Sequence, residues 1–172
     1  LDAQLTTGKL EITLVGDRWA VLDRESATLI TAGRVISVSA TATELAQAKL
    51  QLPSAVGVNA SNNASTNVSG TSSVLLATSS GLSAINLDSG ETSLITAANG
   101  RPAAPLIEGE CGYAAWSGGT VWSKCGSAGD STDNAESMSG SAQLTFRVSD
   151  GVIALNDAAT GLVWAVQGGV RL

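Results

Sequence analysis

Apolar and polar residues alternate with period two along Leu10-Glu11-Ile12-Thr13-Leu14 and again along Leu144-Thr145-Phe146-Arg147-Val148. That period belongs to half-buried β-strands rather than helices. Three segments align without forcing: residues 10–33, 72–98 and 142–169. Each predicts a strand, a short turn at a Gly or Asp, a second strand, a polar turn and a third strand. The polar turns are DRESA, DSGE and NDAATG, the residue types that turns select for backbone reasons. In each copy an alanine is followed ten positions later by a large apolar residue: Ala20 with Ile30, Ala84 with Leu94, Ala154 with Trp164. The small residue leaves a hollow on the sheet face, and the large one is expected to cover that hollow or the neighbouring sheet.

The third copy is the most specific. Ala154-Leu-Asn-Asp-Ala-Ala-Thr-Gly-Leu-Val-Trp164 resembles the A-x-D-x-x-x-G-x-x-x-W tryptophan-docking motif of quinoprotein-type (PQQ-like) β-propellers, with Asp157 and Gly161 each one place late. The other copies keep the spacing and replace the tryptophan with Ile30 and Leu94. The resemblance implies an all-β fold of antiparallel, propeller-like blades. More loosely, PAAPLIEGECGYAAWSGGTVWSKCG followed by LTFRVSDGVIALND is similar to the N-terminal extracellular region of large actinobacterial proteins with fibronectin type III or Ig-like modules. Judged by Ala20, Ala84 and Ala154, the copies repeat at 64 and 70 residues, more than the roughly 40–45 of one blade. A further blade is expected in residues 34–58, with RVISVSATA and KLQLPSAVGV as strands and TELAQAK as a helical turn. The chain then supplies three or four blades, and about four are needed to close a ring. The expectation is a single domain over residues 1–172, an incomplete ring cut from a larger secreted protein.

Composition narrows the function. At 172 residues the chain is long enough for a real core, yet aromatics are only 3%, so Val, Leu, Ile and Ala must fill it. Charged residues are 14% and the net charge is −6, without a basic groove to neutralise phosphates, so nucleic acid is not an expected partner. The sequence contains neither a basic amphipathic helix nor a long apolar run, so membrane insertion is not expected. Histidine is absent, which removes Ser-His-Asp and Cys-His catalysis and imidazole metal ligands. No cofactor is assigned.

Cys111 and Cys125 bracket a hairpin pattern. A three-residue turn at Ser117-Gly118-Gly119 sets Trp116 opposite Thr120 and brings Cys111 opposite Cys125, a separation a disulfide spans. Closing this loop of about 15 residues contributes on the order of 3 kcal/mol and points to an oxidising, extracellular setting.

Other candidates for chemistry are thin. Asp130, Asp133 and Glu136 in GDSTDNAESMSG raise calcium, but their spacing departs from a calcium loop, and a solvated, mobile loop is the expectation. Asp23, Asp88, Asp150 and Asp157 fall at turns, where aspartates usually accept from their own backbone. Trp19, Trp116, Trp122 and Trp164 are expected as packing residues, with Trp116 beside its glycine turn the most exposed. The Asn-x-Ser patterns at Asn59, Asn63 and Asn67 are expected to mark an unmodified surface insertion. The expected function is non-enzymatic: an extracellular scaffold or recognition module of the cell envelope, offering loops to a protein or cell-wall glycan and prone to homodimerise through exposed blade edges. The alternative is part of a quinoprotein-like or sugar-acting enzyme, which needs a calcium site and a complete ring.

Overall fold

The computed structural model describes residues 10–54, 72–135 and 137–166. These form four antiparallel sheets, each a meander of strands consecutive in the chain. The first contains β1 (Leu10–Val15), β2 (Arg18–Asp23), β3 (Thr28–Thr31) and β4 (Arg34–Ser37). The second contains β5 (Lys49–Leu50), β6 (Ser73–Thr78), β7 (Gly81–Asn86) and β8 (Thr92–Ala97). The third contains β9 (Leu106–Glu108), β10 (Cys111–Ala115), β11 (Thr120–Cys125) and β12 (Ser131–Asn134). The fourth has three strands, β13 (Leu144–Ser149), β14 (Val152–Asp157) and β15 (Val163–Ala165). One short helix, α1 (Ala42–Gln47), joins the first two sheets; Thr41 and Glu44 form a capping box at its start.

The sheets pack face to face in chain order, and three apolar clusters fill the junctions. Val15, Ala20, Leu22 and Leu29 of the first sheet meet Leu50, Val74, Leu76 and Ile85 of the second. The opposite face of the second sheet, with Leu75, Ala77, Leu82 and Ala84, meets Ile107, Ala114, Trp116 and Trp122 of the third. The third sheet's other face, with Leu106, Tyr113, Ala115 and Val121, meets Phe146, Ile153, Leu155 and Trp164 of the fourth. Both faces of the second sheet are covered, so every residue of β6 is buried. That is why SVLLAT is a continuous run rather than an alternation. No apolar cluster joins the first sheet to the fourth among the described residues, and each keeps one face open.

Three expectations change. Residues 34–58 do not make a blade of their own, because β4 completes the first sheet and β5 joins the second. The fourth sheet in the count comes instead from the cysteine hairpin. GDSTDNAESMSG is not simply a solvated loop: Ser131–Asn134 pair with β11, from Thr120 opposite Asn134 to Ser123 opposite Ser131. A polar sequence suits that place, because β12 is an edge strand and charged or hydroxyl side chains discourage further pairing. Finally, Ala154 and Trp164 lie on opposite faces, since Trp164 sits across from Leu155 and Ala154 from Ala165. The tryptophan therefore covers the third sheet and not its own alanine's hollow. Leu94 fails to follow because its hairpin closes two positions earlier, from Asn86, and pairs Leu94 with Ser83.

Candidate docking surface

The open face of the first sheet is built by strand alternation. In β1 the residues turned toward the second sheet are Glu11, Thr13 and Val15; Thr13 and Val15 are buried, and the Thr13 hydroxyl donates to the Gln51 carbonyl at 2.7 Å. Leu10, Ile12 and Leu14 point the other way, with Ile12 66% and Leu14 51% exposed. The apolar side of this strand thus faces outward, the reverse of an ordinary half-buried strand. Cross-strand pairing extends the patch: Leu14 lies opposite Trp19, Ile12 opposite Val21, Val21 opposite Ile30, and Ile30 opposite Val35. Trp19 is 41% exposed and Val35 46%. Asp23 shares this face but is buried at its turn, where its carboxylate accepts the Glu25 N–H at 3.0 Å. Continuous exposed apolar surface of this kind marks a contact site in soluble proteins.

Behind that face, Glu11 and Arg24 form an ion pair. Glu11 also accepts the Leu50 N–H at 3.1 Å, while Arg24 donates to the Ala48 carbonyl at 2.8 Å. Burial pushes the Glu11 carboxyl up, against the opposing pull of Arg24 and Lys49. These bonds tie the segment after α1 to β1 and fix the attitude of the sheet. A separate cleft of about 340 Å³ lies between α1 and the second sheet; Glu44, Thr78, Ser80, Thr92 and Leu94 line part of it. Glu44 accepts from the Ser80 hydroxyl, from the Thr41 backbone N–H and from the Thr41 hydroxyl. Those bonds, Ser80's first, hold its carboxyl below the usual carboxylate range. Its acceptor capacity is spent on the fold, and the cleft has no second acid beside it.

The sequence-derived candidates divide. Cys111 and Cys125 form the disulfide, with Cα atoms 4.0 Å apart in the register the turn dictates. The Trp116 N–H accepts no role in exposure: it is bonded to Thr120's carbonyl at 2.9 Å, closing the three-residue turn. Trp116 is fully buried, not exposed, and its indole N–H donates to the Thr78 carbonyl of the second sheet at 2.7 Å. The turn is packed rather than free. Ser117 exchanges bonds with Arg101, and a Cβ on Gly118 would lie 2.4 Å from the Asn99 carbonyl oxygen. Asp130 pairs with Lys124 at 3.0 Å and accepts from the Trp122 indole at 3.4 Å. Glu136 and the three Asn-x-Ser patterns lie outside the described residues. Among the described residues no three His, Cys, Asp or Glu gather as metal ligands would, so this donor set does not fit the calcium-anchored quinone of PQQ enzymes.

Of the turn aspartates, Asp157 accepts from Gln143 N–H at 2.7 Å and from the Thr160 hydroxyl at 2.7 Å, whereas Asp88 pairs with Arg18 at 2.5 Å. In that copy Asn86 takes the turn-capping role. These are structural uses, and the four aspartates are spread over three sheets' turns. The residues that sequence reasoning missed are Ile12, Leu14 and Trp19 as a surface. The available signal was Thr13 and Glu11, whose polarity suggested the solvent side when they are in fact the inward side.

No protein-family model and no curated protein matches this chain. Among solved structures it is similar to the crystal structure of the computationally designed Ika4 protein, with a TM-score of 0.57 at 8% identity, covering 96% of this chain and 99% of that one. The likeness speaks to fold alone. No helix among the described residues is long and apolar enough to cross a membrane.

Proposed function

We propose that the chain is a propeller-type arc of blades that serves as a non-enzymatic extracellular scaffold or recognition module of a larger cell-envelope protein. The observation that carries this is the uncharged apolar face of Ile12, Leu14, Trp19 and Val35, a surface suited to holding a partner and without reactive groups of its own. The Cys111–Cys125 disulfide supports an oxidising compartment. The quinoprotein-like resemblance of Ala154–Trp164 supports the propeller-type assignment, and in the fold that tryptophan has a packing role. A protein partner suits the open face, and a cell-wall glycan suits the hydroxyl-lined cleft beside Glu44.

The test is an absorbance titration with PQQ in the presence of Ca²⁺, run beside a pull-down on purified cell-wall glycan. The expected outcome is no stoichiometric quinone binding. Tight one-to-one binding overturns the non-enzymatic assignment in favour of the enzyme.

A further inference from the structure

The two open faces are the two halves of one kind of junction. Pairing registers in the first and fourth sheets correspond residue for residue. Leu14 lies opposite Trp19 as Val148 lies opposite Ile153; Ile12 opposite Val21 as Phe146 opposite Leu155; Val21 opposite Ile30 as Leu155 opposite Trp164. In the fourth sheet, Phe146, Ile153, Leu155 and Trp164 are buried against the third sheet. Their counterparts in the first sheet are the open face. The reverse correspondence also holds. Ala20 lies opposite Thr13 and Thr31 and is buried against the second sheet; Ala154 lies opposite Arg147 and Ala165 on the fourth sheet's uncovered face. Val152 is 56% exposed there and Val163 49%. What the first sheet's face lacks is therefore the following-side face of a sheet of this same type, and the fourth sheet has one unused.

We infer that a second copy of this chain supplies it: the fourth sheet of each copy docks on the first sheet of the other, giving two junctions and a closed two-fold ring. Sheet faces are joined, not strand edges. Size favours two junctions over one. Three strands about 4.8 Å apart and six residues long cover roughly 300 Å², so one junction buries about 600 Å² from both sides, and two bury about 1,200 Å², the lower bound for a stable interface. Charge permits it, because the first-sheet face carries no exposed charge and the fourth-sheet face carries Arg147 on the edge strand β13, where its stem can reach past the rim to water.

This assignment rests on the recognition-module reading only in treating the open face as a docking surface. Sedimentation equilibrium of the disulfide-bonded chain is expected to give twice the chain mass. Ile12→Lys and Val163→Lys, each on an exposed position, are each expected to give monomers with unchanged circular dichroism. An equimolar mixture of the two is expected to regain association, because one wild-type first-sheet face and one wild-type fourth-sheet face remain. A monomeric wild-type chain overturns the proposal, as does a dimer that survives Val163→Lys, which would show first-sheet faces pairing with each other. An open polymer overturns the two-chain ring. None of these outcomes touches quinone binding, so failure here and failure of the non-enzymatic assignment are read separately.

Discussion

Trp164 and Ile30 occupy the same place in two copies of one unit, each across from the middle of the preceding strand, yet Trp164 is 1% exposed while Ile30 is only partly covered. The local sequence pattern does not separate them; the presence of a preceding sheet does. Burial in a stacked fold is set by place in the stack, and the end units retain patterns suited to a neighbour they do not have within the described residues. The largest effect that can sharpen this contrast is truncation at the covered site. Trp164→Ala is expected to cost about 3–5 kcal/mol in urea unfolding, since it opens a cavity between the third and fourth sheets. Ile30→Ala should cost under about 1.5 kcal/mol in dilute solution, because most of what it removes already faces water. Equal losses would mean that the first sheet's outer face is covered after all.

The two hairpins of the third and fourth sheets give a second contrast. β10–β11 is closed by a disulfide and β13–β14 is not, although both have full antiparallel registers. Replacing Cys111 and Cys125 together with alanine is expected to cost about 3 kcal/mol, seen as a lower urea midpoint with a reductant-insensitive variant. A loss near zero would show that packing around Tyr113 and Trp122 already holds the hairpin. Smaller again is the indole bond across the second junction. Trp116→Phe leaves the Thr78 carbonyl without its 2.7 Å donor and is expected to cost about 1–3 kcal/mol, with the far-ultraviolet spectrum unchanged.

The fold class was legible because strand alternation and turn chemistry are local. Leu10-Ile12-Leu14, DRESA and the Cys111–Cys125 spacing each specify their element without reference to the rest of the chain. Two things were not local. The fourth sheet hid in the cysteine hairpin, because its outer strand Ser131–Asn134 has the composition of a loop and becomes a strand only by pairing with β11. The exposed tryptophan was misassigned for a similar reason. Trp116 sits beside glycines that suggest a free turn, but those glycines allow close backbone approach to Asn99, which packs the turn and buries the ring. Trp19, with no such cue, is the half-open one. The docking face itself was written in β1 but with its sides exchanged, since a strand covered on one face by polar Thr13 and Glu11 is indistinguishable, by period alone, from the opposite arrangement.

The mildest expected effect compares two turns of the same kind. Asp157 and Asp23 each begin the turn between the second and third strands of a copy, and each accepts from the residue two positions on. Asp157 adds a Thr160 hydroxyl and the Gln143 N–H, and the hydroxyl bond first, then the N–H, holds its carboxyl below the usual carboxylate range. A carboxyl lowered in the folded state stabilises the fold above its unfolded pKa and loses that contribution as pH falls through the folded value. Melting temperature should therefore fall on the acid side, below the ordinary carboxylate range, and Asp157→Asn should make that fall shallower. Glu44 is lowered too and contributes in the same direction, so the comparison is best made in a Glu44→Gln background. If Asp157→Asn leaves the acid limb unchanged there, the Thr160 and Gln143 bonds do not discriminate the ionised carboxyl, and the fourth sheet's turn is held no more tightly by charge than its counterpart at Asp23.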